Sequence, residues 1–161
     1  MKLQIIVTGS HLSSKHGLTY KEIEEDGFKI GFKVDILENI IDTQSTARAM
    51  SKAQNEITEI LSEIKPDLMV VLGDRYEILS AVISALLSGV PVAHIHGGEA
   101  TTGAFDDSIR NAITKMSHLH FVATDEYRSR VLQLGENPKN VYLVGGVGID
   151  SIKNLPLLSK E

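Results

Sequence analysis

Apolar positions along this chain recur with two periods, and the switches between them mark its elements. Residues 3–7 form an apolar run that stops at Thr8-Gly9-Ser10-His11, which predicts a strand. Residues 20–25 read as a short helix stopped at Gly27, and residues 28–36 alternate as a half-exposed or edge strand. From Thr43 to Ile64 the period lengthens. Ala47, Met50, Ala53, Ile57, Ile60, Leu61 and Ile64 recur at helical spacing, with Asp42, Thr43 and Ser45 as candidate caps and Pro66 as the stop. Buried strands at 68–72, 92–95, 118–123 and 141–144 then alternate with helices at about 76–88, from Asp106 or Asp107 to about 117, and at 125–134. The tail after Ile152 carries no readable pattern.

Strand and helix alternate throughout, and right-handed crossovers turn that order into a parallel sheet with helices on both faces. The expectation is a single α/β layer without internal repeat, low-complexity segment or linker. In such sheets ligands bind at the carboxyl ends of the strands. Two of those ends carry polar groups: Gly73-Asp74-Arg75, and His94-Ile95-His96-Gly97-Gly98-Glu99.

Composition narrows the classes. The 161 residues are enough for one domain with a sizeable core. There is no Cys, which excludes disulfides and thiolate metal sites and fits a reducing cytoplasm. The net charge is −5 and the basic residues are scattered, so no stripe tracks a nucleic acid backbone. No apolar run approaches the ~20 residues that cross a bilayer, and the opening run is too short for a signal peptide. A cytoplasmic protein is the default expectation.

Each candidate group has a structural and a chemical reading. Asp74 is either a helix N-cap or a general base at a partly desolvated edge. Arg75 is either a solvated charge or a phosphate or sugar contact. His94 and His96 share one face if the segment is a strand, and His118 and His120 repeat the spacing, so a metal-dependent hydrolase is the rival reading. Its third ligand would come from Asp74, Glu99 or Asp107. Gly97 and Gly98 permit a close backbone approach to a ligand, with Glu99 as a mobile acid. Asp106 and Asp107 open a helix where first-turn acids suit the dipole, and Asp107 can pair with Arg110 one turn on. Gly145-Gly146-Val147-Gly148 resembles a dinucleotide fingerprint loosely, but no helix and acidic partner are predicted after it, which argues against that use.

Several motifs in order resemble one family. They are Thr8-Gly9-Ser10-His11-Leu12, Gly17-Leu18-Thr19-Tyr20-Lys21-Glu22-Ile23-Glu24, Lys65-Pro66-Asp67, Gly73-Asp74-Arg75-Tyr76-Glu77, His94-Ile95-His96-Gly97-Gly98-Glu99, Asp106-Asp107-Ser108-Ile109-Arg110-Asn111-Ala112-Ile113-Thr114-Lys115 and His118-Leu119-His120. Together they resemble the hydrolysing UDP-N-acetylglucosamine 2-epimerases of sialic acid biosynthesis and their legionaminic acid sisters, over nearly the whole chain up to about Ile152. The resemblance implies a GT-B fold: two Rossmann-like domains with a UDP-sugar between them. This chain would be the amino-terminal domain over residues 1–152 without its first strand, followed by a tail at 153–161, with the carboxyl-terminal domain absent.

The family reaction is an anti elimination of UDP to a 2-acetamidoglucal, followed by hydration to the 2-epimer. It needs acid–base groups on two faces of the sugar. By motif, the resemblance implies catalytic roles for Asp74 and for Asp106 or Asp107. Related enzymes hold a Glu where this chain has His96, so His96 or Glu99 takes the second acid–base role. Substrate-binding roles follow for His11, Arg75, Gly97, Gly98 and Arg110. The resemblance implies no cofactor, no metal, a UDP-sugar as partner and a homo-oligomer. A non-catalytic sugar-nucleotide-binding module is the remaining alternative for the isolated chain.

Overall fold

Strand β1 (Ile5–Thr8) pairs in parallel with β2 (Ile30–Val34), and the Thr8 hydroxyl donates to the Val34 carbonyl at 2.7 Å. The computed structural model of the protein describes residues 1–36, 42–101 and 105–155. They divide into two compact units, one of residues 1–69 with 75–91, the other of residues 70–74 with those from 92 onward.

The first unit joins β1, α1 (Tyr20–Glu25), β2, α2 (Thr43–Ile64) and α3 (Tyr76–Leu87). Asp42 caps α2 in a reciprocal box with Ser45, which explains the sharp start of that helix. Lys65 adopts a left-handed conformation at its end, just before Pro66. α2 packs on α3 and β2. It buries Ser45, Ala49, Ala53, Ile57 and Leu61, a stripe with strict four-residue spacing. Ala47, expected in the stripe, is exposed, and Ala49 takes its place because the buried row runs straight along i, i+4. The opposing face of α3 offers Ser80, Ala81, Ser84 and Ala85. Small side chains let the backbones approach closely enough for the Ser84 hydroxyl to reach the Gln54 carbonyl at 2.9 Å.

The second unit carries a four-stranded sheet in the order β3 (Met69–Leu72), β4 (Val92–Ile95), β5 (Leu119–Val122), β6 (Val141–Leu143). β4 with β5 and β5 with β6 pair in parallel. Helices α4 (Asp106–Met116), α5 (Asp125–Gln133) and α6 (Val147–Asn154) intervene or follow. Val122, Val131 and Val141 form one closed cluster between β5, α5 and β6.

Three expectations are corrected. Among the described residues the strands pair as two ladders, β1 with β2 and β3 through β6, where one ladder was predicted. β3 was expected as a buried strand, but it is the edge of its sheet and leaves Val70 and Leu72 60% and 52% exposed. A helix does follow Gly145-Gly146, since α6 begins at Val147. It overlaps the predicted tail boundary, and residues 156–161 lie outside the described residues, as do Thr102 and Gly103 of the predicted loop.

Candidate active site

The carboxyl ends of β3 and β4 are held by extensions of the sheet ladder. Gly73 N–H donates to the Ile95 carbonyl at 3.1 Å, and His96 N–H to the Phe121 carbonyl at 2.9 Å. Asp74 and His96 therefore start from fixed backbone positions. Asp74 is not a helix cap: α3 begins after Arg75, whose side chain makes no cap bond either. The Asp74 side chain instead forms an ion pair with Arg110.

Arg110 is the centre of the second unit's polar cluster. It sits one turn into α4, with its side chain 5% exposed. One terminal nitrogen, Nη2, bonds Asp74 and the Thr101 hydroxyl at 3.0 Å. The other, Nη1, donates to the Glu99 carbonyl at 2.7 Å and reaches Asp107 Oδ1 at 3.4 Å. A guanidinium has five donors in a fixed plane, so one buried Arg can orient groups from a strand end, a loop and its own helix. Asp106 and Asp107 lie in the first turn of α4, and neither is the cap, because that position is Phe105. Asp107 is engaged by Arg110, whereas Asp106 has no hydrogen bond or ion pair among the described residues.

His96 and Glu99 form a single unit. The Nδ1 atom of His96 lies 2.5 Å from Glu99 Oε1, and Nε2 is buried without a partner among the described residues. His96 has φ +68°, a left-handed conformation costly for a residue with a Cβ. That turn ends β4 at Ile95 and breaks the period-2 alternation, so His94 and His96 do not share a face.

His94 is buried completely. Its Nε2 lies 2.9 Å from the Gly73 carbonyl, and its Nδ1 lies 3.2 Å from the Thr114 hydroxyl. The carbonyl can only accept, so Nε2 carries the proton and Nδ1 accepts from Thr114. Burial foremost lowers the His94 pKa to about 4, which keeps the ring neutral. His120 pairs with His94 across β4 and β5, and its Nε2 lies 3.1 Å from Glu136, itself bonded to Lys115. Burial is again the largest influence and pushes the His120 pKa down. His118 is exposed. The two His-x-His pairs thus do not assemble into a ligand set, and no group of three metal-ligating side chains occurs among the described residues.

Gly97 and Gly98 are close-approach positions inside the second unit. A Cβ on Gly97 would lie 3.2 Å from His94 Nδ1 and from Thr114 Oγ1. At Gly98, with φ +80°, it would lie 2.3 Å from the Tyr127 carbonyl oxygen. Beside this loop a half-open cavity of about 390 Å³ is lined by Glu99, Asp107, Asn111, Arg130 and Gln133 among others.

His11 and Arg75 belong to the first unit. The ring of His11 bonds the Thr19 hydroxyl at 2.8 Å on the surface. Arg75 Nε donates to Glu77 Oε1 at 2.6 Å, and that hydrogen bond foremost raises the Arg75 pKa. The sequence reading missed Glu77, Thr101 and Thr114. A signal for Glu77 was present: it is a charged residue opening an otherwise apolar helix, two positions after an arginine.

The fold is α/β, of the GT-B type, and the second unit carries an acid–imidazole cluster at its strand ends. The sequence pattern of the UDP-N-acetylglucosamine 2-epimerase family matches residues 1–161. The chain belongs to that family. It is 49% identical over 161 residues to the GDP/UDP-N,N'-diacetylbacillosamine 2-epimerase (hydrolyzing) of Campylobacter jejuni, covering all of this chain and 42% of that protein. It is 39% identical over 150 residues to the UDP-N,N'-diacetylbacillosamine 2-epimerase (hydrolyzing) of Legionella pneumophila, covering 93% of this chain and 40% of that protein. Among solved structures, a UDP-N-acetylglucosamine 2-epimerase from Listeria monocytogenes superposes with a TM-score of 0.82 at 20% identity, over 98% of this chain and 41% of that one. The chain thus spans about two-fifths of the length of these relatives.

Proposed function

We propose that the protein to which this chain contributes is a hydrolysing UDP-sugar 2-epimerase, and that the chain supplies its acid–base groups. The observation that carries this reading is the gathering of Asp74, Asp107 and the Glu99 loop around the buried Arg110 in a chain of this family. The names of the 49% and 39% identical relatives favour a UDP-linked diacetamido sugar as substrate.

The reaction sets the requirements. A base removes the proton from sugar carbon 2, the C–H electrons become the carbon 1–carbon 2 double bond, and the bond from carbon 1 to the UDP oxygen breaks. Water then adds its oxygen to carbon 1, and an acid returns a proton to carbon 2 from the opposite face. The products are UDP and the free 2-epimer. Asp74, held at one oxygen by Arg110, suits the base that must not swing away. The His96–Glu99 dyad suits the other proton transfer. Glu99 orients the imidazole through Nδ1 and leaves Nε2 as the exchanging atom, so the two candidates for the second role act as one device. Asp106, the disengaged acid of the pair opening α4, remains available to the hydration step.

The test is proton NMR in deuterated water on the protein that carries this chain at its relatives' full length. Free UDP together with a 2-epimer deuterated at carbon 2 is the expected result. Intact UDP-N-acetylglucosamine and intact UDP-N,N'-diacetylbacillosamine after long incubation would refute the reading. Binding without turnover would instead support a sugar-nucleotide-binding module.

A further inference from the structure

The cavity in the second unit is lined by neither Asp74 nor His96. Its volume of about 390 Å³ falls within the ordinary range of roughly 300–1,000 Å³ for small-molecule sites. Asp107 and Asn111, one turn apart, give it a face of α4. Arg130 and Gln133 give it a face of α5, with Leu134 at that helix's end. Residues 98–100 form the remaining wall. That loop is held at two points: Arg130 Nη1 reaches the Gly98 carbonyl at 3.4 Å, and Arg110 Nη1 donates to the Glu99 carbonyl at 2.7 Å. The walls are therefore set before any ligand arrives.

The charged groups around the cavity are already engaged. Glu99 Oε1 lies 2.5 Å from His96 Nδ1, Asp107 Oδ1 lies 3.4 Å from Arg110 Nη1, and Arg130 Nη2 donates to Glu126 at 2.7 Å. Two carboxylates against one guanidinium also disfavour an anion in the space between them. What is left to recognise a ligand is neutral. The side-chain amides of half-buried Asn111 and exposed Gln133 have no hydrogen bond among the described residues. Each offers N–H donors and a carbonyl acceptor. A secondary amide is their complement, because its carbonyl accepts from such a group and its N–H donates to one. Ala100 and Leu134 add apolar surface that suits a methyl group. An acetamido group carries all three features: a carbonyl, an N–H and a methyl.

We propose that this cavity between α4 and α5 is a binding site for an acetamido sugar, whose acetamido group is read by Asn111 and Gln133. The choice of a sugar rests on the proposed function, in which substrate and product both carry acetamido groups. Two sources supply the same chemistry: the second acetamido group of a UDP-linked diacetamido sugar, or a free acetamido sugar.

The experiment is an NMR titration of the isotope-labelled full chain, read at the side-chain amide signals of Asn111 and Gln133. The probes are N-acetylmannosamine and UDP-N,N'-diacetylbacillosamine. Mannose and UDP-N-acetylglucosamine, each one acetamido group short, are their controls. Saturable shifts of both signals are expected with a probe, and binding about tenfold weaker with its control. Shifts with N-acetylmannosamine assign the site to the free sugar. Shifts with the UDP-linked probe alone assign it to the second acetamido group of that sugar. Asn111→Leu, apolar and of similar size, is expected to weaken probe binding about tenfold. Should that variant fold poorly, Gln133→Ala, at an exposed position, carries the same expectation. The site is overturned if neither probe binds more tightly than its control, or if affinity is unchanged in the folded Asn111→Leu or Gln133→Ala protein. These outcomes are separable from the proposed function, because binding is read without turnover. A full-length protein that epimerises while these signals stay still loses the site and keeps the function. Shifts without any epimerisation keep the site and lose the function.

Discussion

Glu99 is bound at both ends: its carboxylate lies 2.5 Å from His96 Nδ1, while its main-chain carbonyl accepts from Arg110 Nη1 at 2.7 Å. The residue that orients the imidazole is thus fixed by the same guanidinium that holds Asp74. On the proposed mechanism the two proton-transfer groups share one anchor, and this coupling shapes what substitutions should do.

The dyad predicts non-additivity. In the full-length protein, His96→Gln and Glu99→Gln should each lower kcat by about 10²–10⁴, the ordinary worth of a positioned acid–base group. The double variant should lose little beyond the worse single. Steady-state kinetics of the three variants checks this. Losses that simply multiply would mean that His96 and Glu99 act separately.

Arg110 joins Asp74, Thr101, Glu99 and Asp107 while nearly fully buried. Arg110→Ala would leave Asp74 without its cation and should cost about 3–5 kcal/mol of stability. Arg110→Lys keeps a charge but cannot span four acceptors in one plane, so activity should fall more than stability. Urea unfolding beside kcat/KM separates the two effects.

His94 predicts a pH dependence of folding. Its pKa is about 4 in the folded chain, against an ordinary value of 6.5. Between those values the unfolded chain binds a proton that the folded chain does not. Stability from this site is therefore fully present above pH 6.5, falls as pH drops towards 4, and levels off below. The span is worth roughly 3 kcal/mol. His120, also pushed down, adds in the same direction. Urea midpoints at several pH values should show the fall, and His94→Gln should flatten it. An unchanged slope in that variant would remove His94 as its source.

Gly98→Ala tests the loop that carries Glu99. The added Cβ would lie 2.3 Å from the Tyr127 carbonyl oxygen, a backbone atom that cannot turn aside, at a φ that L-residues avoid. A loss of about 3 kcal/mol or more is expected, from steric overlap added to the left-handed penalty. Gly17→Ala, at a similar φ but with open space around it, should cost only the conformational part. Comparing the thermal midpoints of the two variants isolates the clash.

The local pattern was enough to place the elements. Periodicity and capping located α2, α3, α4 and α5 and the strands of both sheets to within a few residues, because burying an apolar face and satisfying helix ends are decided by near neighbours in the chain. The motifs themselves named Asp74, Glu99 and Arg110. Tertiary structure decided what those residues touch. Arg110 meets Asp74, 36 positions away, only because β3 and α4 converge in space. The left-handed turn at His96 separates it from His94 and hands it to Glu99, and no residue type at that position announced it. Any Cβ at Gly97 or Gly98 would meet His94, Thr114 or Tyr127, neighbours that only the tertiary structure brings there. The division of the strands into two ladders was equally invisible: an apolar run of four residues reads the same at an edge as in the middle. Which it becomes depends on what pairs beside it, and that is a long-range property.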